Sequence, residues 1–272
     1  MATKNNLATV EDAALPAYLQ GYTGPQTNTT MDNDDRIVPR IKLLQAISPE
    51  LKAFEAAKEG LFWHSILNQP LGSELRFVVA MARKSYVLFA PRGDERTILA
   101  RSADGKTWDR PNESFEVKVK GVAKSVTWET KGSVAESGLA NFGTSIPGDP
   151  QSAPAATLVY EYLVYMPDHP DCSPALISLS RSGIKRGKDL NSKMSLRSAT
   201  APQYAQIYKA VVTEEQSAEG TYNGWSFKAD CLASEADFNA VVGLAKSFEQ
   251  TSYRASDEDM REEAPRSSEV PF

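Results

Sequence analysis

The chain has 272 residues, 41% of them hydrophobic and 24% charged, with a net charge of −5. This is an ordinary globular composition with enough core for one large domain or two small ones. It has no apolar run near the ~18 residues that cross a bilayer as a helix, and only two cysteines, so a membrane partner and a disulfide scaffold are excluded from the expectations. The acid is uneven. Residues 1–35 hold one basic and five acidic residues and residues 256–272 hold two and six, which leaves 27 basic against 24 acidic in between. A mildly basic body between acidic ends does not exclude a polyanionic partner.

Residues 1–35 read as a flexible acidic arm with one helical turn around EDAALPAYLQ. Its start lacks the basic and apolar stretches of a secretion signal, so a cytoplasmic location is expected. The body, residues 36–253, opens with RIVPRIKLLQ. Ile37, Ile41 and Leu43 alternate with charges as in a strand, and Pro39 points to a sheet edge. PELKAFEAAKEG is predicted as a short helix ending on Gly60. Strands are predicted over LFWHSIL, ELRFVVAMA, SYVLFAP, RTILARS, FEVKVKGV and SVTWET, with Ala103–Lys106 as a hairpin corner.

The Gly/Ser/Pro-rich stretch 132–156 is expected to be a surface loop. ATLVYEYLVYMP and ALISLS follow as strands, then SGIKRGKDLNSKMSLRSA as a helix, then YAQIYKAVVTEE and YNGWSFKADCLA as strands. SEADFNAVVGLAKSFEQTSY is an amphipathic helix opened by the capping box Ser234-x-x-Asp237, with Phe238, Val241, Val242, Ala245 and Phe248 on its buried side. Residues 254–272 form an acidic, proline-broken tail expected to be disordered. A helix between the third and fourth strands of a five-strand set is the OB arrangement. The expected fold class is therefore mainly β with α (α+β), an OB-like barrel with extra strands and a C-terminal helix.

The sequence holds no P-loop, GxGxxG or HExxH pattern and only two histidines, His64 and His169. An enzyme is not expected, and no cofactor is assigned. DHPDC sets His169 three residues from Cys172, but Cys231 has no near partner, so a turn histidine and two thiols are expected rather than a metal site. The cations carry more. Arg181, Lys185, Arg186, Lys188, Lys193 and Arg197 fall within seventeen residues, opposed only by Asp189. A second cluster, Arg83, Lys84, Arg92, Arg96 and Arg101, surrounds strands that carry Tyr86 and Phe89 and precede Trp108. Cations for phosphates interleaved with aromatic faces for bases are what a single-strand groove needs. The candidate nucleic-acid contacts are Arg83, Lys84, Tyr86, Arg92, Arg101, Trp108, Arg181, Lys185, Arg186, Lys188 and Lys193. For the helix the bland alternative is a solvated face. Phe62, Trp63, Trp128, Trp225 and Phe227 are expected in the core, and Tyr160 and Tyr162 share one side of their strand without declaring which.

The last residues, SDEDMREEAPRSSEVPF, set an apolar tip on an acidic tether, a form suited to capture in a partner's pocket. This ending resembles that of bacterial and phage single-stranded DNA-binding proteins. PRIKLLQ and SPE within Pro39–Glu50, and SRSGIK with LNS within Ser180–Ser192, are similar to segments of phage proteins of this kind and size. The resemblance implies non-catalytic, largely sequence-independent binding of single-stranded DNA in phage replication or recombination. It implies recruitment of replication or recombination proteins by Asp257, Glu258, Asp259, Glu262, Glu263, Glu269, Val270, Pro271 and Phe272. Arg261 and Arg266 depart from the nearly pure acidic form of such tails. A phage structural or accessory protein that binds only protein, and a recombination annealing protein, stay open as alternatives, as does a homo-oligomer.

Overall fold

Alternating β-branched and aromatic residues along the apolar runs build one large sheet. The computed structural model describes residues 37–90, 98–119, 122, 125–146, 148–198, 201–217 and 220–248. The acidic arm and the acidic tail lie outside them. The elements are β1 (Arg40–Leu43), α1 (Glu50–Ala53), β2 (Phe62–His64), β3 (Gln69–Gly72), β4 (Glu74–Phe89), β5 (Ile98–Ser102), β6 (Ser114–Val117), β7 (Val126–Glu129), α2 (Val134–Ser137), β8 (Ala156–Tyr165), β9 (Ala175–Ser180), α3 (Gly183–Ser198), β10 (Gln206–Ser217), β11 (Gly220–Leu232) and α4 (Glu235–Phe248). The fold is mainly β with α, and its sheet curls into a half-barrel.

Nine strands run in the order β11-β10-β4-β8-β9-β1-β2-β3, with β5 on the far half of β4, and β6 and β7 form a separate hairpin. The two ends of the long sheet approach one another. The Phe62 and Trp225 rings lie 4.7 Å apart. The Gln45 amide donates to the Asn223 carbonyl at 2.8 Å and accepts from the Asn223 N–H at 3.0 Å. One side chain thus supplies the pair of bonds a neighbouring strand would otherwise make to the β11 edge.

α3 covers one face of the sheet, where Phe77, Val79, Tyr162, Val164, Ile177 and Phe227 meet Leu190 and Met194. α4 covers the other, where Val78, Ala80, Leu163, Leu176 and Ile207 meet Val241, Ala245 and Phe248. The Ser234 hydroxyl accepts from the Asp237 N–H, which realises the predicted cap of α4. A third cluster, including Leu88, Trp108, Val126, Trp128 and Leu139, packs the β6–β7 hairpin and the 132–155 segment against the far end of β4.

Several expectations shift. ELRFVVAMA and SYVLFAP are one strand, β4, because Arg83 and Lys84 in its middle still pair across to β8. Pro39 does not mark an edge: β1 lies between β9 and β2, and Pro39 stands just before it, offering only its carbonyl to the Leu176 N–H. α1 stops at Ala53, and Gly60, at φ +77°, sits instead in the turn into β2. Ala103–Lys106 does not join two paired strands but folds back onto β4.

The seat of α3 is tight. A Cβ on Gly187 would come within 2.6 Å of the Tyr160 ring and 3.3 Å of the Tyr162 hydroxyl, whereas one on Gly183 would meet Leu179 at an ordinary 3.4 Å. Gly187→Val is therefore expected to lower the unfolding free energy by about 1–3 kcal/mol in urea denaturation, while Gly183→Ala causes no loss. Equal stability of the Gly187→Val protein would show that the helix does not rest on the tyrosines this closely.

Candidate nucleic-acid interface

The site starts from a change of phase in β4. Up to Val79 the odd residues face α3, and Val79 stands opposite Val164. The register then slips, so that Met81 stands opposite Leu163. Ala80 and Met81 both pack on the α4 side, as the two residues of a β-bulge do when they oppose one. From there the even residues face α3: Ala82 opposite Tyr162, Lys84 opposite Tyr160, Tyr86 opposite Leu158. The bulge thus puts Lys84, and not Arg83, on the α3 face.

On that face Lys84 falls between two apolar clusters, the one beneath α3 and the one beneath the β6–β7 hairpin. The result is a cleft. Its floor is Ala82, Lys84, Tyr86 and Tyr160. Its α3 border is Gly187, which leans on Tyr160, with exposed Lys185 and Lys188 beside it in sequence. On its other side is a recess of about 380 Å³ lined by Lys84, Tyr86, Lys106, Ser133, Ala135 and Asn141, among others. Gly105, at φ +71°, presses against the Lys84 carbonyl so closely that a Cβ would lie 2.6 Å from it, which carries Lys106 in beside Lys84.

The charges separate into two groups. Arg83 faces away and donates to Glu161, itself buried, at 2.6 Å. Arg186 donates through Nε and Nη2 to Glu215 Oε1 at 3.0 and 2.6 Å. Lys193 is ion-paired with Asp189 and donates to the Phe227 carbonyl at 2.7 Å, tying α3 to β11. These three predicted contacts hold the fold together. Lys84, Lys106 and Lys188, by contrast, are exposed and form no ion pair among the described residues, and Lys185 is exposed but close enough to Glu215 to help lower its carboxyl. The nearby acids are engaged locally. Burial alone would raise the Asp104 carboxyl, but the Thr107 and Lys106 N–H groups and the Thr107 and Ser102 hydroxyls bring it down to about 2. Glu136 accepts from the Ser133 hydroxyl at 2.9 Å.

Of the remaining predicted residues, Arg101 and Arg181 are half-buried. Arg92 lies outside the described residues, as do Asp257, Glu258, Asp259, Glu262, Glu263, Glu269, Val270, Pro271 and Phe272. Trp108 is only 4% exposed, with its indole N–H on Ser137, and it is a core residue with no face free to stack. Tyr86 is half-buried with the Lys84 ammonium 5.1 Å from its ring centroid, so it seats a cation. Tyr162 is buried, its hydroxyl 3.0 Å from the Gly187 carbonyl. Lys106 is part of the turn predicted at Ala103–Lys106, and nothing local in sequence places it beside Lys84. His169 opens a 3₁₀ turn, Cys172 is buried against Gln69, and exposed Cys231 accepts from Arg76.

The family model of the Pam3 phage gp34-like protein matches residues 8–254. The chain belongs to this bacteriophage family. No curated protein and no solved structure matches it. Among the described residues of this gp34-like chain, no helix is long and apolar enough to cross a membrane.

The Arg186–Glu215 pair gives a test of the division between structural and free cations. Burial alone would raise the Glu215 carboxyl, but Arg186 and the Tyr222 hydroxyl hold it below the ordinary 4.5. A carboxyl depressed by folding contributes stability above its ordinary range and loses it as pH falls through the folded value. Arg186→Ala is expected to lower the unfolding free energy by about 1 kcal/mol or less at neutral pH, with the deficit shrinking below pH 4.5. Lys188→Ala should stay within about 0.5 kcal/mol of the parent. Denaturation curves at several pH values check both.

Proposed function

We propose that this gp34-like protein binds single-stranded DNA in the cleft between α3 and the 132–155 segment, without chemical conversion and largely without regard to sequence, in phage DNA replication or recombination. The observation that carries the proposal is a set of exposed lysines outside the close ion pairs, Lys84 and Lys106 on the recess and Lys185 and Lys188 either side of Gly187 in sequence on α3, while Arg83, Arg186 and Lys193 are neutralised by carboxylates. A lysine ammonium is a point charge that meets a phosphate from many directions and lacks the planar fork that reads a base edge. Such a row favours a backbone over a sequence. The acidic stretch 256–272 belongs to the same proposal as the segment that recruits replication or recombination proteins, a role that leaves the cleft to the strand.

The test is a fluorescence titration of oligo-dT at several salt concentrations. If the four lysines neutralise four phosphates, log K falls against log salt with a slope of about −2.8. Replacing all four by Ala is expected to bring that slope close to zero while the thermal transition stays nearly in place, because all four are exposed and none sits in a close ion pair. Absence of binding at low salt, or an unchanged slope in the folded quadruple variant, would overturn the proposal.

A further inference from the structure

A single-strand groove built from lysines alone lacks its stacking platform, and neither aromatic expected from the sequence supplies it: Trp108 is core and Tyr86 lies beneath Lys84. Phe142 is different. It is 65% exposed, and it directly follows Ala140 and Asn141, which line the recess with Lys84 and Lys106. The backbone around it is pinned. The Asn141 N–H donates to the Gly138 carbonyl at 2.9 Å and the Gly143 N–H to the Ser152 carbonyl at 2.7 Å. The Thr144 hydroxyl bonds the Leu139 and Asn141 carbonyls at 3.1 and 2.7 Å. Gly143, at φ +85°, lies so close to Pro150 that a Cβ would sit 3.2 Å from its Cα. A large ring is thus held out to solvent by a loop whose hydrogen bonds fix its neighbours on both sides, an arrangement that contributes little to the core.

We propose that Phe142 is a base-stacking residue: a nucleobase of a single strand lies on its ring while Lys84 and Lys106 hold the adjoining phosphates. This inference rests on the single-strand reading of the cleft and assigns a residue to it. The chemistry selects a nucleic acid over an apolar peptide because the ring directly follows residues that line a recess with two ammonium groups outside any ion pair, which suits a ligand that alternates π faces with anions. The hydrogen bonds that hold Asn141 and Gly143 also lower the ordering cost of binding.

The experiment uses the full chain and two oligonucleotides of equal length, oligo-dT and an abasic strand with the same phosphates. Phe142→Ala is expected to weaken oligo-dT binding by about fivefold or more, to leave abasic binding unchanged, and to leave the salt slope unchanged. Phe142→Leu, which keeps an apolar side chain without a π face, should fall with the alanine variant, and Phe142→Trp should bind at least as well as the parent. Unchanged oligo-dT affinity in Phe142→Ala, or equal losses on both strands, would overturn the stacking role while leaving the lysine cleft standing. Failure of the parent protein to bind either strand would overturn both readings together.

Discussion

Gly187 lets α3 lie directly on the rings of Tyr160 and Tyr162, with the Tyr162 hydroxyl on the Gly187 carbonyl and on Asn191 and with Leu190 fully buried behind them. That contact fixes how deep the helix sits in the curl of the sheet. The opposite flank of the helix then reaches β10 and β11, where Arg186 meets Glu215 and Lys193 caps the Phe227 carbonyl. Gly224 is part of the same fit, since a Cβ there would run into the Glu215 carboxylate. Two glycines, one ion pair and one lysine–carbonyl hydrogen bond thus set the pose of one helix. Lys185 and Lys188 are left outside because the inward positions are filled by glycine, leucine and methionine.

The β-bulge at Ala80 works at the level of the sheet. By placing two successive residues on the α4 side it exchanges the two faces of everything that follows in β4. Arg83 turns to the α4 side and is paired with Glu161, and Lys84 turns to the α3 side, into a gap that neither apolar cluster fills. A partly buried pair such as Arg83–Glu161 is expensive to break because the survivor would keep an uncompensated charge. An exposed lysine above a tyrosine ring has no such tie and is available to a ligand. The separation between cations that hold the structure and cations that can bind is therefore decided by backbone phase more than by composition.

Much of the architecture was legible in the sequence. The run from β8 to α4 was readable in order because each element carries a clear period, and the Ser234 cap marked the start of α4. The body's basic character against its acidic flanks was also plain. The bulge was not legible: VVAMARK alternates poorly in either phase, so nothing local says that Lys84 will face the helix. Trp108, set between Thr107 and Asp109, looks exposed, and only the hairpin and loop that close over it bury the ring. Gly105 gives no hint that its turn folds back on β4. Phe142, in a Gly/Ser-rich stretch, reads as incidental until hydrogen bonds on both sides show it to be held in place. In each case the missing information is long-range packing, which local periodicity does not carry.

Hydrogen–deuterium exchange with and without oligo-dT reports where a strand lies as well as whether it binds. A strand in the cleft is expected to slow exchange in β4 around Ala82–Tyr86, in the turn at Gly105–Lys106, around Asn141–Gly143 and in the N-terminal half of α3, with α4 unchanged. Protection confined to α4 and the face it covers, or no protection under conditions that saturate the protein, would contradict it.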